Sequence, residues 1–276
     1  MSRTACLLVI ALAALGLAAC ALEPPPRTVP AGFAKPRLML ISDEAQGPLL
    51  LGGDFGLRSS FDGGRTWQTP AGGDAAVLAG ASYADAIVVS HGSTSQSYGY
   101  ALTGSPSDSV AWPFAAPVTL LAGRARQERV WAITMEGTAR LSYSNDGGAY
   151  WWPMPAIGLC AHPRMLAVGP GAAAASDRLW VACGWEGLAV SDDLGVHFHQ
   201  VAGIYRALDV AVTRAKAGLV VVSTPQVAVT KDDGATWTYT SFWAERIAID
   251  PRNADLVFAI GRDSRLHASL DSGLTF

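Results

Sequence analysis

The chain has 276 residues, half of them hydrophobic and only 16% charged. An average globular domain is about 25% charged, so apolar surface is ample and a disordered chain is excluded. Twenty Lys+Arg against 23 Asp+Glu give a net charge of −3, which excludes nucleic-acid binding driven by bulk charge. Gly 29 and Pro 16 argue against long helices, four Cys are too few for a disulfide-built scaffold, and nine Trp call for an explanation.

Arg3 precedes an uncharged apolar run, Cys6 to Ala18, that is too short to span a bilayer comfortably. It ends in Leu17-Ala18-Ala19-Cys20. This resembles the lipobox of bacterial lipoprotein signals, which sets small residues before an invariant Cys. The resemblance implies removal of residues 1–19 and acylation of Cys20. Two or three acyl chains anchor stably where one is marginal. Ala21 after the Cys is similar to outer-membrane sorting, with the protein facing the periplasm. The alternative is a secretory signal cleaved at an Ala-x-Ala-like site. Pro24, Pro25, Pro26, Pro30 and Pro36 fall within residues 20–36, which predicts an extended stalk and no strand. Such a stalk reaches roughly 45 Å at full extension. Residues 37–276 form the folded domain. Within it Cys160 and Cys183 are either bridged, as an oxidising compartment permits, or two separate buried thiols.

An internal repeat sets the fold. Ser60-Phe61-Asp62-Gly63-Gly64-Arg65-Thr66-Trp67 recurs as Ser144-Asn145-Asp146-Gly147-Gly148-Ala149-Tyr150-Trp151. Further copies run from Ser191 through Asp193 to Phe198, from Thr230 through Asp232 to Trp237, and from Ser269 through Asp271 to Phe276. Spacings of 84, 47, 39 and 39 residues leave room for one more copy, and a worn one lies at Ser105 to Trp112, with Ser107 in place of the Asp. The hydroxyl and the carboxylate are suited to take hydrogen bonds from turn amides, and Gly supplies positive φ. The aromatic packs between neighbouring sheets, which accounts for Trp67, Trp112, Trp151 and Trp237. The box aspartates are structural and are not nominated as acids or metal ligands.

The pattern resembles the Asp-box, or bacterial neuraminidase repeat, over about 240 residues. Strand-like runs fill each period. The fourth has Met165–Val168, Leu179–Ala182, Leu188–Ser191 and His197–Val201, and the fifth has Ala207–Val212, Leu219–Ser223, Val227–Thr230 and Thr236–Thr240. Four short strands per period of about 40 residues predict an all-β propeller of six four-stranded blades, or seven in a longer chain. A β-sandwich is the alternative, but it has no need of the same turn six times. Phe276 falls inside the last copy, so the sixth blade lacks its fourth strand. The Pro-rich segment is a poor strand candidate, which favours truncation over completion by the N-terminus.

The resemblance places the boxes on one rim and binding sites at the opposite mouth, among the loops between second and third strands and the connectors between blades. There, Arg37, Arg164, Arg206 and Arg246 share one repeat position at the start of the innermost strand. Four guanidiniums around one channel suit carboxylate or phosphate. The alternative is that each pairs with an acid of a neighbouring loop, from Asp54, Glu136, Glu186 and Asp263. Trp185, Tyr205, Trp243, His91 and His162 belong to the same mouth, and aromatics beside arginines are common at recognition surfaces.

Two function classes follow. Gly53-Asp54-Phe55-Gly56-Leu57 and Gly184-Trp185-Glu186-Gly187-Leu188 before the box are similar to the photosystem II assembly/stability factor family and its non-photosynthetic relatives. That resemblance implies a non-enzymatic scaffold with an arginine-lined face, which binds a protein or an anionic ligand. The alternative is a sialidase-like or other Asp-box glycoside hydrolase acting on a glycan, its acids drawn from Asp54, Glu136, Glu186 and Asp263. Arg37-Leu38-Met39 departs from the Arg-Ile-Pro motif of sialidases. GxSxG, HExxH, P-loop and CxxC signatures are missing from the sequence. No cofactor or metal is expected, the membrane is reached through the lipid anchor, and the chain is read as a monomer.

Overall fold

A computed structural model describes residues 27–28, 36–41 and 48–276, apart from 71–75, 84–85, 92–97, 102–109, 112–113, 115, 117, 124–128, 147 and 172–176. The signal segment, Cys20, Ser105 and Trp112 lie outside the described residues, as does the side chain of His91.

The regular elements among the described residues are strands. After β1 (Arg27–Thr28) come β2 (Leu38–Ile41), β3 (Leu49–Gly53) and β4 (Gly56–Ser60), a three-stranded sheet. Next is a four-stranded sheet of β5 (Val77–Tyr83), β6 (Ala86–His91), β7 (Tyr98–Ala101) and β8 (Val110–Ala111). It is followed by β9 (Val118–Gly123), β10 (Val130–Met135), β11 (Ala139–Ser144) and β12 (Trp152–Ala156). Then come β13 (Met165–Pro170), β14 (Asp177–Ala182), β15 (Leu188–Ser191) and β16 (His199–Gln200). The fifth set is β17 (Asp209–Val212), β18 (Val220–Ser223), β19 (Val227–Thr230) and β20 (Thr238–Tyr239). Last are β21 (Ala244–Ile249), β22 (Val257–Gly261) and β23 (Arg265–Ser269). Every pairing is antiparallel, and each joins sequence neighbours except that of β1 with β23. Residues from β2, β5, β9, β13, β17 and β21 line one axial cavity of about 380 Å³. The sheets therefore stand around an axis as in a propeller, and the sandwich alternative fails.

Alternation along the strands explains how each sheet is held. Leu179 and Val181 point into the core shared with the preceding sheet, whereas Trp180 and Ala182 point into the core shared with the following one. Val220 and Val222 are likewise divided from Val221. Both faces are buried, so these strands read as continuous apolar runs. The fourth- and fifth-period strands lie where the sequence placed them, but the outermost ones, β16 and β20, are only two residues long.

The recurring turn has one geometry. The amide of Gly64 donates to Ser60 Oγ (2.7 Å), and those of Arg65 and Thr66 to Asp62 Oδ1 (2.8 and 2.9 Å). Tyr150, His197, Thr236 and Thr275 donate in the same way to Asp146, Asp193, Asp232 and Asp271 at 2.8–2.9 Å. The box glycines Gly64, Gly148, Gly195, Gly234 and Gly273 all have positive φ, between +87° and +97°, and at Gly195 a Cβ would also stand 2.3 Å from Leu141 Cδ2 of the preceding sheet. Trp67, Trp151, Phe198, Trp237 and Phe276 each pack into a core with the sheet before their own, and Trp67 reaches the last sheet. The box thus sets the seam between sheets as well as the turn.

Two expectations are corrected. Arg27 and Thr28 were assigned to the stalk, and the last sheet was expected to stop at three strands. Instead, Arg27 pairs with Leu266 and Thr28 with Arg265, so the N-terminal segment supplies the fourth strand. The prolines flank the two paired positions without occupying them, and a backbone ladder at a sheet edge tolerates that.

Hydrogen bonds from the His197 amide hold the Asp193 carboxyl at about 2, and those from the Thr230 and Thr236 side chains do the same for Asp232. Both are lowered on folding from an ordinary 3.8. Their stabilising contribution is therefore full above about pH 4 and is lost as pH falls through 2. Asp232→Asn is expected to be less stable than the parent at pH 7, with a gap that closes between pH 4 and 2. Urea unfolding over that range checks it, and a gap that does not change with pH would count against the hydrogen-bonded carboxylate as its source.

Candidate functional site: the rim opposite the box turns

Box turns follow the third strand of each sheet, so they share an end with the finish of the innermost strand. The opposite rim carries the start of each innermost strand and the loops between second and third strands. Its most tightly built part is the loop Gly184–Gly187 between β14 and β15. Gly184 and Gly187 have φ of +64° and +86°, and the Cys183 amide donates to Gly187 O at 2.8 Å. A Cβ at Gly187 would lie 2.3 Å from Ile204 O, so only glycine fits there. The hairpin lifts Trp185 into solvent, 73% exposed. Two attachments fix its base. Cys183 is bridged to Cys160, which settles the open choice between cystine and two thiols. Gly184 and Ala207 exchange backbone hydrogen bonds of 2.8 and 2.9 Å across the seam to the next sheet.

The four repeat arginines meet different fates. Arg37 forms an ion pair with Asp54 at 2.8 Å. Arg246 lies close to the carboxylate of Asp209, which is fully buried at the start of β17. Asp209 accepts from the amides of Val210 (2.8 Å) and Ile247 (2.9 Å). Burial pushes its carboxyl up to about 6, against the pull of Arg246 and the two amides. The Arg164 side chain lies along the Gly184 backbone. The Arg206 guanidinium sits 4.1 Å above the Trp185 ring centroid. The axial cavity lining includes none of the four.

The expected acid partners are mostly engaged elsewhere. Glu136 pairs with Arg140 (3.5 Å) and Glu186 with His162 (3.0 Å). Asp263 pairs with His267 (3.1 Å) and Arg265 (3.9 Å), and hydrogen bonds from both lower its carboxyl against the opposing effect of burial. Of the proposed arginine–acid set, only Arg37–Asp54 forms.

A second stack escaped the sequence reading. Arg262 lies 3.7 Å above the ring centroid of Trp243, beside a shallow pocket of about 290 Å³ that includes Asp263 and His267. Gly184-Trp185-Glu186 and Gly261-Arg262-Asp263 occupy equivalent loops. Counted back from the boxes at Ser269 and Ser191, Arg262 matches Gly184 and Asp263 matches Trp185, and the ring partner Trp243 comes from the connector before the same sheet. The repeat register therefore carries no signal for this stack. Tyr205, 82% exposed, adjoins Arg206. Among the described residues Arg164, Arg206 and Arg262 have no acidic partner.

No family model matches the chain, and no curated protein matches its sequence. Solved structures do. A GH74 enzyme from Niastella koreensis superposes with a TM-score of 0.57 at 16% identity, over 86% of this chain and 37% of the enzyme. The GH74 xyloglucanase from Xanthomonas campestris gives 0.60 at 16% identity, over 85% and 44%. The chain thus spans about two fifths of the length of these enzymes. YCF48 bound to D1 peptide gives 0.50 at 13% identity, over 90% and 94% of the two chains. At such identities the likeness is one of fold, and the fold is a β-propeller.

Proposed function

We propose that the chain is an exported Asp-box lipoprotein whose six-bladed propeller is a binding scaffold, taking a protein or an anionic ligand on the arginine rim. Two Arg–Trp stacks on that rim, with Tyr205 exposed beside one of them, carry the proposal. A guanidinium laid on an indole keeps its N–H edge directed outward and loses little freedom on binding. Hydrolysis of a glycan needs two carboxyl groups about 5–9.5 Å apart across a cleft. Asp54, Glu136, Glu186 and Asp263 are each held by a basic neighbour, which favours binding over catalysis. Export is supported by the cystine, since disulfides persist in oxidising compartments. In this proposal Cys20 carries the lipid and the protein faces the periplasm from the outer membrane.

A photoreactive residue at position 205 is expected to give adducts in intact cells, whereas one at the exposed box position Phe61 gives none. Adducts from position 61 alone would assign function to the wrong face. Cys20→Ser is expected to release the protein from membranes or stall its processing, and unchanged detergent partitioning would remove the lipoprotein assignment. A screen on aryl glycosides is expected to show no turnover.

A further inference from the structure

The repeat predicts four equivalent arginines, and the fold makes them unequal. Arg37 is neutralised by Asp54 and Arg246 faces buried Asp209. Arg164 and Arg206 are left without an acid among the described residues, and both lie against the same two-residue stretch. Arg164 runs along Gly184: a Cβ there would be 3.6 Å from its Nε. Arg206 covers the ring of the next residue, Trp185. The bridge between Gly184 and Ala207 fixes the two arginines on either side of one seam.

Two like charges held at one loop repel each other until an anion lies between them. On the same loop Glu186 is engaged by His162 at 3.0 Å. Trp185 and Tyr205 add exposed ring surface beside the cations.

We propose that Arg164 and Arg206 form a clamp for a dianionic phosphate monoester, whose organic part rests on Trp185 and Tyr205. The clamp rests on the arginine-rim proposal and specifies its ligand. Phosphate suits it because each guanidinium offers a planar fork of donors, and a phosphomonoester offers three acceptor oxygens on one centre. Its double charge matches two cations, whereas a carboxylate or a sulfate ester leaves one charge unbalanced.

The test uses the full chain carrying Cys20→Ser, at pH 8 and low salt, with phenyl phosphate, phenyl sulfate and inorganic phosphate as probes in titration calorimetry. Phenyl phosphate is expected to bind at least tenfold more tightly than phenyl sulfate and more tightly than inorganic phosphate, which lacks the ring. Binding should weaken as sodium chloride rises. Arg164→Ala and Arg206→Ala should each weaken it at least tenfold, whereas Arg65→Ala on the box rim leaves it unchanged. Arg206→Lys keeps the charge but lacks the fork, and it should lose most of the affinity, a result independent of any folding defect in Arg206→Ala. Trp185→Ala should weaken phenyl phosphate and spare inorganic phosphate. Flotation with phosphatidic acid vesicles separates the sources: binding that needs Arg164 marks a lipid headgroup, and its absence alongside phenyl phosphate binding marks a soluble ester. Equal affinity for the phosphate and sulfate esters, or full affinity in an Arg164→Ala/Arg206→Ala pair, overturns the clamp. Adducts at position 205 in cells would then still stand for the rim as a binding face, so the two failures are distinct.

Discussion

Asp209→Ala is expected to lower stability by about 2–5 kcal/mol, because two backbone amides in a dry seam lose their acceptor. The carboxylate joins two sheets. Its Oδ1 accepts from Val210 within β17, and its Oδ2 accepts from Ile247 in β21. Alanine strands both amides in the dry seam, at about 1–3 kcal/mol for each unsatisfied group, and leaves Arg246 without its counter-charge. Asp209→Asn separates charge from hydrogen bonding, since it retains one acceptor for the two amides. The pH dependence gives a second signature. Folding raises the Asp209 carboxyl from its ordinary 3.8 to about 6. The folded state thus binds the proton more tightly, so the contribution is full below about pH 4 and is lost as pH rises through 6. A shift of this size corresponds to roughly 3 kcal/mol. The parent's stability advantage over Asp209→Asn should shrink by that order between pH 4 and 7 in urea unfolding. An advantage that grows over that interval would mean that Arg246 and the two amides outweigh burial.

Much of this fold is legible in the sequence because the turn is made of side chains. Ser60, Asp62, Gly64 and Trp67 each have a geometric task, so their spacing survives in later copies and marks the seams at Trp67, Trp151, Phe198, Trp237 and Phe276. The runs in the fourth and fifth periods are equally plain, because strands buried on both faces leave only apolar residues to read. β1 was missed for the opposite reason. A two-residue strand at a sheet edge is held by backbone hydrogen bonds, and Arg27 and Thr28 carry no pattern that announces them. Asp209 was missed because one acid in Leu208-Asp209-Val210-Ala211-Val212 looks like the polar phase of an alternating strand. Only the crossing of β17 and β21 shows that both of its oxygens face amides inside the seam. The repeat register treats the four arginines as equals, whereas Arg37 and Arg164 immediately precede β2 and β13, Arg206 stands three residues before β17 and Arg246 lies within β21. Their surroundings depend on neighbours that the repeat does not share: Asp54 beside Arg37, Asp209 beside Arg246 and the Trp185 ring beneath Arg206.

The cystine ties that rim to the core, so its removal should act on stability and binding together. Cys160 lies in the connector that leads to Arg164, and Cys183 immediately precedes Gly184 and Trp185. With 23 residues of sequence separation, loss of the cross-link is expected to cost about 3 kcal/mol. Cys160→Ala/Cys183→Ala is the cleaner variant, because both sulfurs are fully buried and a single substitution leaves an unpaired thiol in the core. The box turns have their own hydrogen bonds and should keep the propeller folded at room temperature, with a lowered melting point. The hairpin bearing Trp185 would then rest on the Gly184–Ala207 bridge, the Gln200 side-chain hydrogen bond to Glu186 O and the Glu186–His162 pair, so the contact of Trp185 with Arg206 should loosen. Acrylamide quenching can follow this if Trp185→Phe is compared in both backgrounds. The Trp185-dependent part of the emission is expected to become more accessible in the double-alanine variant, and ligand affinity at the rim should fall with it. A lowered melting point with unchanged quenching would show that the cystine supports the core only, and that the bridge and the two glycines suffice to hold the rim.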